Sequence, residues 1–586
     1  MENKLKAKYH EIREIETLKD MLNSSVRLYS ERPAFLVKKE KGGDYFQITY
    51  AQFKHDVDAL GTKLISMGLK DAKIAIIGEN CYEWTASYFA AVNGTGIVVP
   101  LDKELSRDEI YNLLKQADCR AVFFTNTFED YFKDYDIEFK IRIKVYGDRT
   151  DLSEPLKEPA EKSTEASQIL DWETLVYDGE KLAAEGNRDF IDAEIDPNVM
   201  KIILFTSGTT DSAKGVMLSH YNIASCIMDT CKIANITPED RTLSILPIHH
   251  TFESTMGMSL MLYRGASIAF FEGLKYINKN LAEANATVLI GVPLIFESIY
   301  DKIWKQAEKQ GKAGTLRKAI KLNRTMKAMG IDVSRKLFKS VHDKFGGKLR
   351  LMITGAAAID PNVLRGFEDL GFTMMQGYGL TECAPLVSGP PDFCNRYKKA
   401  GSSGPAVASG EIKIIDKDED GIGEIIYKGP NVMLGYYNMQ DKTDEVIKDG
   451  WFYTGDLGFL DDEGWLYITG RKKNVIVTKT GKNIYPEEVE FYINRNKYIQ
   501  ESLVHEFFDE NSDDTQVGAQ IRPNYDVIYE EFGESFGEEE VQSLIKRVIS
   551  DINEKLPIYK RVRNIAVRKD EFIKTTTKKI QRFKNI

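Results

Sequence analysis

The sequence lacks any apolar run long enough to cross a lipid bilayer. Its most apolar stretch, Val288–Phe296, is far shorter than the ~20 residues that a membrane-spanning helix needs, and it contains Gly291 and Pro293. The first residues are charged throughout and show no apolar core typical of a secretory signal. We therefore expect a cytoplasmic protein, and this pattern is also compatible with peripheral contact with a membrane.

Cysteine is scarce, and positive charge is outnumbered by negative charge. The chain has 6 cysteines and no CxxC pair, which argues against a zinc ribbon or a thioredoxin-type site. Lys and Arg number 79 against 89 Asp and Glu, a net charge of −10. This balance disfavours bulk attraction to nucleic acid or to anionic lipid. Any anionic ligand must therefore meet positive charge that is concentrated locally.

With 586 residues the chain exceeds what one hydrophobic core usually holds, so we expect two or more domains. Short apolar runs at Lys73–Gly78, Gly96–Leu101 and Ala121–Thr125 alternate with helical patterns, which is typical of βα units in a mainly parallel sheet. The polar stretch 149–197 indicates a surface excursion. Residues 302–348 are helical in pattern and strongly basic, and a solvated helical face is the simplest interpretation.

The pattern changes beyond Ser409, where short strands and turns alternate. The last ~115 residues combine strands with an amphipathic helix near Glu538–Leu556, and this is a common size for one domain. We predict an α/β protein in which residues 1–470 form a large domain of mainly parallel sheets. This domain includes a β-rich subdomain at about 400–470, and residues 471–586 form a small α+β domain.

A loop of small, hydroxyl-bearing residues follows an apolar strand pattern at Phe205–Val216, FTSGTTDSAKGV. Small residues let backbone N–H groups approach phosphate oxygens, hydroxyls donate hydrogen bonds, and Lys214 supplies positive charge. The spacing from Gly208 to Lys214 differs from that of a Walker loop, and no Ser or Thr follows the lysine. Such a turn alone is more often structural than functional, so its interpretation depends on the motifs that follow.

Further motifs follow this loop in order along the chain. They are GAAA at Gly355–Ala358, QGYGLTE at Gln376–Glu382, YTGDLG at Tyr453–Gly458, GRKKNVIVTKTGKNIYPEEVE at Gly470–Glu490 and KTTTKKIQR at Lys574–Arg582. With the loop, they resemble the signature segments of the adenylate-forming superfamily, which includes acyl-CoA synthetases, luciferases and the adenylation domains of peptide synthetases. One such match carries a real false-positive risk, whereas several in order make coincidence remote.

The resemblance implies the adenylate-forming enzyme fold, with a C-terminal domain that is mobile. It assigns these residues to ATP or AMP: Thr206, Ser207, Gly208, Thr209, Thr210, Lys214, Gly355, Ala356, Ala357, Gln376, Gly377, Tyr378, Gly379, Thr381, Asp456 and Arg471. Tyr378 would stack on adenine, and Asp456 would accept hydrogen bonds from the ribose opposite Arg471. The structural alternatives are a core aromatic residue and a surface ion pair.

The resemblance implies catalytic roles for Thr206, Glu382 and Lys579. A carboxylate that attacks the α-phosphorus of ATP needs the phosphate charge to be neutralised. Mg²⁺ favours hard oxygen ligands, which fits Glu382 with Thr206 as its companion. Three further roles are implied: the hinge at Lys473, coenzyme A contact at Gly481 and the acyl entrance at His250.

The sequence departs from the family pattern in the phosphate loop and in the C-terminal lysine motif. The phosphate loop has Asp211 and Ala213 where Gly and Pro are usual. An Asp beside a triphosphate would oppose binding, so we interpret Asp211 as a cap of the following turn. The C-terminal motif has Lys578 where Gly is usual, so two lysines compete for the catalytic role. Alignment on the following Ile-x-Arg selects Lys579.

Within the superfamily the best resemblance is to long-chain fatty acid–CoA ligases, carried by Gly78–Asp102, by LPIHHTFE at Leu246–Glu253 and by the basic helical segment. It implies activation of a fatty carboxylate by ATP to acyl-AMP, release of pyrophosphate and transfer to coenzyme A, with Mg²⁺ as cofactor. Transfer to an acyl carrier protein is one alternative, and a non-catalytic nucleotide-binding relative is another. A homodimer is compatible with the sequence.

Overall fold

The computed structural model describes residues 8–146, 169–206, 213–478, 482–509, 514–574 and 580–586. The chain divides into two compact units. Unit 1 contains residues 1–411 and 428–447, and unit 2 contains residues 412–427 and 448–586. Each unit has its own sheets and is described separately below.

The strands in the described ranges are mostly short. In chain order they are β1 (Pro33–Lys38), β2 (Tyr45–Thr49), β3 (Lys73–Ile77), β4 (Ile97–Leu101), β5 (Cys119–Thr125), β6 (Phe139–Ile143), β7 (Ile169–Asp171), β8 (Met200–Thr206), β9 (Lys214–Ser219), β10 (Arg241–Ser244), β11 (Ser267–Phe270), β12 (Val288–Gly291), β13 (Leu351–Thr354), β14 (Thr373–Gln376), β15 (Tyr378–Gly379), β16 (Leu386–Ser388), β17 (Glu411–Ile415), β18 (Gly423–Lys428), β19 (Gly435–Tyr436), β20 (Ile447–Lys448), β21 (Trp451–Leu460), β22 (Leu466–Arg471), β23 (Ile476–Val477), β24 (Asn483–Ile484), β25 (Ile499–Asp509), β26 (Asp514–Pro523) and β27 (Val562–Val567).

The α-helices range from one turn to nearly five turns. In chain order they are α1 (Leu18–Tyr29), α2 (Tyr50–Ser66), α3 (Tyr82–Ala90), α4 (Arg107–Ala117), α5 (Glu129–Phe132), α6 (Trp172–Ala184), α7 (His220–Ile233), α8 (Leu260–Tyr263), α9 (Ile277–Ala284), α10 (Pro293–Lys309), α11 (Ala313–Ala328), α12 (Ser334–Leu337), α13 (Lys339–His342), α14 (Pro361–Asp369), α15 (Gln440–Val446), α16 (Pro486–Ile493), α17 (Tyr525–Phe532), α18 (Glu538–Asn553) and α19 (Arg582–Asn585).

The larger sheet of unit 1 has eight strands in the order β19-β9-β8-β4-β3-β5-β6-β7. The strands from β8 to β7 are parallel, whereas β9 and β19 run antiparallel at one edge. Strands β3, β4 and β5 are almost continuously buried, as expected where both faces of a parallel sheet are covered. The parallel α/β architecture predicted for the first half of the chain is confirmed.

The second sheet of unit 1 has seven strands in the order β14-β13-β12-β10-β11-β1-β2. All of them are parallel except β2, which pairs antiparallel with β1. In open parallel sheets, ligands bind outside the carboxyl ends of the strands. The predicted nucleotide motifs GAAA and QGYG begin at these ends, directly after β13 and at the end of β14.

The prediction of a surface excursion at 149–197 is wrong for the part of it that the structure describes. Strand β7 extends the eight-stranded sheet beside β6, and Trp172 at the start of α6 is 1% exposed. A Cβ atom on Gly179 would lie 1.8 Å from the Ala59 carbonyl oxygen, so α6 and α2 approach with backbone contact. The polar composition that suggested a loop is concentrated in residues 147–168, which lie outside the described ranges.

Unit 2 begins with a five-stranded sheet, β17-β18-β21-β20, to which β22 adds by pairing with β21. This is the β-rich region predicted at about 400–470. A second sheet of unit 2 has the order β25-β26-β27, and α18 contributes its apolar face to the same core. The amphipathic helix predicted near Glu538–Leu556 is confirmed. The boundary at residue 471 and the mobility of the domain beyond it stay predictions.

The basic segment 302–348 is helical, as predicted, and contains the C-terminal part of α10 and all of α11, α12 and α13. Leu322, Met329, Ile331 and Leu337 in this segment are exposed. Within the described part of the chain, every helix is too short or too polar to span a membrane.

Candidate active site

The phosphate loop connects two paired strands of unit 1. Thr206 at the end of β8 is the register partner of Lys214 at the start of β9, and the Thr206 hydroxyl donates to the Lys214 carbonyl oxygen at 3.4 Å. Residues 207–212 lie outside the described ranges, so the predictions for Ser207, Gly208, Thr209, Thr210 and Asp211 stay predictions. The strand pairing brings the two ends of the loop together.

Glu382 is held by contacts with a distant part of the chain. The Tyr436 hydroxyl donates to Glu382 Oε1 at 2.9 Å, and the Met433 N–H donates to the Glu382 carbonyl oxygen at 2.8 Å. Strand β19, which contains Tyr436, pairs with β9 directly beyond the phosphate loop. The Glu382 carboxylate is therefore attached to β19, the strand that pairs with the one beginning at Lys214.

Tyr436 also contacts Lys214, whose ammonium lies 4.8 Å from the centre of the tyrosine ring. This distance is within the range of a cation–π interaction. Lys214, Tyr436 and Glu382 thus form one cluster, with the carboxylate at the hydroxyl and the ammonium over the ring face.

The hard oxygen donors of Glu382 and Thr206 fit a magnesium ion. Tyr436 fixes one oxygen of the Glu382 carboxylate through a neutral hydroxyl, and the Thr206 hydroxyl keeps its lone pairs as acceptors while it donates to Lys214. Mg²⁺ is usually held by one or two carboxylates, with substrate phosphates and water completing its shell. The side chains of Glu382 and Thr206 match this donor set.

The GAAA and QGYG motifs lie side by side at the ends of β13 and β14. Thr354 pairs in parallel register with Gln376, and the Gly377 N–H donates to the Thr354 carbonyl oxygen at 2.9 Å. A Cβ atom on Gly355 would lie 3.2 Å from the Phe252 ring and 3.5 Å from the Gly377 carbonyl oxygen. Gly355 therefore permits close contact between the two segments that are predicted to enclose adenine. Ala356 and Ala357 follow Gly355 in the chain, and their contacts with the nucleotide stay predictions.

The Tyr378–Gly379 segment forms a short antiparallel pair with β16. A Cβ atom on Gly379 would lie 1.8 Å from the Pro385 carbonyl oxygen, so only glycine fits this position. Thr381 opens the helical turn Thr381–Cys383 that carries Glu382. The pairing of this segment with β16 explains why the motif needs glycine immediately after Tyr378. The Tyr378 side chain is partly exposed.

The Gln376 side chain is buried and bonded within the protein. Its Oε1 accepts from the Ile359 N–H at 3.1 Å, and its Nε2 donates to Ser403 Oγ at 3.4 Å. These bonds fix the loop that follows GAAA. The predicted contact of Gln376 with the nucleotide stays a prediction.

His250 lies in a tight turn between β10 and a helical segment that begins at Phe252. Asn80 supports this turn, since its Nδ2 donates to the Leu246 carbonyl oxygen at 2.6 Å and its Oδ1 accepts from the Ile248 N–H at 3.2 Å. In the helical segment that follows the turn, burial raises the pKa of the Glu253 carboxyl to about 8. The predicted place of His250 at an acyl entrance is not tested by these contacts.

The two residues of unit 2 that are predicted to bind the ribose lie opposite each other. Asp456 on β21 and Arg471 on β22 are register partners, and Arg471 Nε donates to Asp456 Oδ1 at 2.6 Å. The Asp456 side chain is 6% exposed, whereas that of Arg471 is 44% exposed. An ion pair of this geometry fixes the carboxylate and leaves the rest of the guanidinium fork at the surface.

The predicted hinge residue Lys473 lies in a short helical turn, Lys472–Asn474, directly after β22. Lys472 in the same turn pairs with Glu424 at 2.6 Å. Gly481 and Lys579 lie outside the described ranges, so their roles stay predictions. Within the lysine motif, an isolated β-bridge joins Lys574 to Ile580.

Arg582, the last residue of this motif, anchors the chain. Its guanidinium donates to Glu490 Oε1 at 2.6 Å and to the Val504 carbonyl oxygen at 2.6 Å. The motif that contains Lys579 is therefore attached to the sheet of unit 2 on its carboxyl side.

Sequence patterns missed two residues that build the site in unit 1. Tyr436 fixes the Glu382 carboxylate, and Asn431 Nδ2 donates to the carbonyl oxygens of Cys383 and Leu386. An aromatic residue after a glycine and an Asn in a turn are common structural features, so neither carried a local signal.

Two mainly parallel α/β sheets in unit 1 and a β-rich sheet in unit 2 match the fold of the adenylate-forming enzymes. An anthranilate CoA ligase solved with anthranoyl-AMP has a TM-score of 0.73 at 19% identity, covering 99% of this chain and 97% of that one. The o-succinylbenzoate CoA synthetase of Bacillus subtilis, solved with its acyl-adenylate intermediate, gives 0.69 at 21% identity, covering 96% of both chains.

The sequence profile of the AMP-binding enzyme family matches residues 22–437, and the chain belongs to this family. It is 32% identical over 491 residues to long-chain-fatty-acid–CoA ligase 5 of Rattus norvegicus, covering 79% of this chain and 69% of that protein. It is 28% identical over 579 residues to fatty acyl-CoA synthetase B of Dictyostelium discoideum, covering 92% and 82%. The family, the fold and the enzyme class predicted from the motifs are confirmed.

Proposed function

We propose that this chain activates long-chain fatty carboxylates with ATP and transfers the acyl group to coenzyme A. The cluster of Lys214, Tyr436 and Glu382 is the observation that carries the proposal. It combines a positive charge and a fixed carboxylate beside a phosphate-type loop, which suits attack by a carboxylate on the α-phosphorus of ATP. Family membership and relatives named as long-chain fatty acid–CoA ligases support the substrate class.

The residues have distinct tasks in this proposal. Glu382 and Thr206 hold Mg²⁺, which when bound neutralises charge on the phosphates. Asp456 and Arg471 orient the ribose, and Lys579 contacts the attacking carboxylate and the α-phosphate as negative charge builds there. The coenzyme A thiol then attacks the acyl-adenylate carbonyl, and AMP leaves.

ATP–pyrophosphate exchange across a panel of carboxylates tests the first half of the proposal. We expect exchange to rise from acetate toward acids of ten or more carbons, because each buried methylene adds about 0.8 kcal/mol of binding until the pocket ends. Glu382→Gln should abolish exchange with every acid. Maximal exchange with acetate, benzoate or an amino acid would overturn the substrate class.

The acceptor is tested separately by offering pre-formed acyl-AMP to coenzyme A or to a phosphopantetheine-bearing acyl carrier protein. Both acceptors present the same thiol, so they differ only in the surface around it. We expect thioester formation with coenzyme A at the higher rate. Faster transfer to the carrier protein would identify the chain as an acyl carrier protein ligase.

The basic segment 302–348 supports a further element of the proposal, peripheral contact with an anionic membrane. It contains 14 Lys and Arg against 3 Asp and Glu, in a chain of net charge −10. Leu322 and Met329 lie seven residues apart on α11 and just beyond it, and both are exposed. Positive charge beside exposed apolar side chains is the pattern that binds anionic lipid surfaces.

Co-sedimentation with vesicles tests this contact. We expect more binding to vesicles that contain phosphatidylserine than to pure phosphatidylcholine, with the difference removed by high salt. Replacing Lys318 and Lys321 by Glu should weaken binding, whereas the same change at Lys41 and Lys103, outside the segment, serves as a charge-matched control. Equal binding by all variants would exclude the segment as the contact surface.

A further inference from the structure

Three side chains that commonly bind metals converge in unit 1. One donor atom each from Asp102, His249 and His250 lies within 4.8 Å of the other two. His249 Nε2 is 3.5 Å from Asp102 Oδ2, and the two imidazole rings lie 4.2 Å apart at an angle of 42°. The residues come from two loops, one directly after β4 and one between β10 and Phe252.

Among these three residues, His249 provides separate evidence for a bound ligand. It is only 6% exposed, and its Nε2 is buried without a hydrogen-bond partner among the described residues. An unpaired buried nitrogen is destabilising, so a native structure usually retains one for a reason. The nearby Asp102 does not satisfy it, since 3.5 Å is long for a hydrogen bond to an imidazole.

The surrounding bonds hold both loops in place. Asp102 Oδ1 accepts from the Glu104 N–H at 2.9 Å, which leaves Oδ2 as the oxygen nearest to His249. The His250 N–H donates to the Pro247 carbonyl oxygen at 3.1 Å. Asn80 bonds to the backbone on both sides of Pro247. The donor atoms are thus carried by loops that are fixed before any ligand binds.

We propose that Asp102, His249 and His250 form a binding site for a borderline transition-metal dication of the Zn²⁺ class. Two imidazole nitrogens and one carboxylate oxygen suit such an ion, whereas Mg²⁺ prefers oxygen ligands alone. Ligands at bond lengths of about 2.1 Å are roughly 3.4 Å apart in a tetrahedral site, so small side-chain rotations bring these atoms into contact with one ion. Three protein ligands leave at least one coordination position open.

The site lies near the end of the strand that leads to Thr206 but uses different residues. Val98 on β4 pairs in parallel register with Ile202 on β8, and four residues further along both strands are Asp102 and Thr206. Bound metal would therefore lie at the same carboxyl end of these two strands as Thr206. It would also fix His250, so we expect it to slow acyl-adenylate formation. This last consequence rests on the proposed function, whereas metal binding itself does not.

Cobalt titration of tag-free protein without substrates tests the binding. Co²⁺ ligated by these side chains absorbs visible light, so we expect one equivalent to give a saturating spectrum that Zn²⁺ then abolishes. His249→Ala and Asp102→Asn should each weaken metal affinity tenfold or more, with thermal melts confirming that both variants fold. His10→Ala is the matched control, because His10 pairs with Asp392 at 2.8 Å without a second histidine, and its spectrum should equal that of wild type.

Absence of Co²⁺ binding below millimolar concentration would overturn the proposal, as would a spectrum unchanged in His249→Ala. In a separate assay at saturating Mg²⁺ and ATP, Zn²⁺ should inhibit exchange by wild type and by His10→Ala and should not inhibit Asp102→Asn. If no variant shows exchange with any acid, the proposed function fails, and the cobalt spectra still decide the metal site.

Discussion

The two units hold their predicted site residues in different ways. In unit 1, Glu382 depends on Tyr436, which is 54 residues away, and the motifs meet at the ends of separate parallel strands. In unit 2, Asp456 and Arg471 lie on adjacent strands of one hairpin and pair directly. Long-range contacts fix the first set within the core of its unit, whereas the second set is carried on one local element. Substitutions should therefore have different consequences in the two units.

The largest effect is expected for Lys579 and Lys473, which would separate the two half-reactions. Lys579→Ala should lower acyl-adenylate formation by about 10²-fold or more, because it removes a charge that stabilises the transition state. It should leave thioester formation from supplied acyl-AMP intact. Lys473→Pro fixes φ at the predicted hinge and should slow only thioester formation. Rapid-quench assays of each half-reaction measure both, and equal loss of both in folded variants contradicts the two-state mechanism.

A smaller effect is expected for Tyr436→Phe in unit 1. The change removes one hydrogen bond to the Glu382 carboxylate and keeps the ring beneath Lys214. A bond to a charged group contributes about 1.5–3 kcal/mol, so exchange should fall at least about tenfold and should need more Mg²⁺. Tyr437→Phe is the control at the next position. Equal activity of the two variants would show that Tyr436 does not position Glu382.

A still smaller effect is expected for Arg471→Lys in unit 2. Lysine keeps the charge but cannot reproduce the planar fork of arginine, and Arg471 is exposed enough for solvent to screen its ion pair. We expect the KM for ATP to rise about threefold to tenfold in the exchange assay, with little change in thermal stability. Lys472→Arg, beside it, retains the pair with Glu424 and should match wild type. A lower melting temperature with unchanged KM would assign the pair a structural role.

The last prediction concerns stability rather than activity, and it falls in unit 1. Because burial raises the pKa of Glu253 from 4.5 to about 8, the folded protein keeps a proton between these pH values that the unfolded chain has released. Stability therefore falls as the pH rises through this window, by at most about 1.4 kcal/mol per pH unit. Glu253→Gln should remove this slope in denaturant titrations from pH 5 to 8. Parallel curves for the two proteins would show that Glu253 titrates normally.

The parallel strands could be predicted because their signal is local. Buried runs such as β3 and β5 contain adjacent apolar residues, and α18 repeats its buried side chains at helical spacing. The family resemblance assigned Asp456 and Arg471 to the same ribose, and the two residues pair on adjacent strands.

The remaining features depend on contacts that no local pattern contains. Strand β7 and helix α6 follow a strongly polar stretch. Because the composition of 149–197 as a whole is polar, it gave no indication that Trp172 is buried. The contact of α6 with α2 requires Gly179 only because Ala59 lies opposite. Tyr436 and His249 resemble ordinary core residues until the fold brings Glu382 and Asp102 to them.

The outermost strands of the two large sheets have a consequence for self-association. The eight-stranded sheet ends in β19 and β7, of two and three residues, and the seven-stranded sheet ends in β14 and β2, of four and five residues. Short edges offer few unpaired N–H and C=O groups to a strand from another copy. Edge-to-edge addition of strands, the usual first step of β-aggregation, therefore has little template in unit 1, and concentrated protein should resist ordered aggregation while it stays folded.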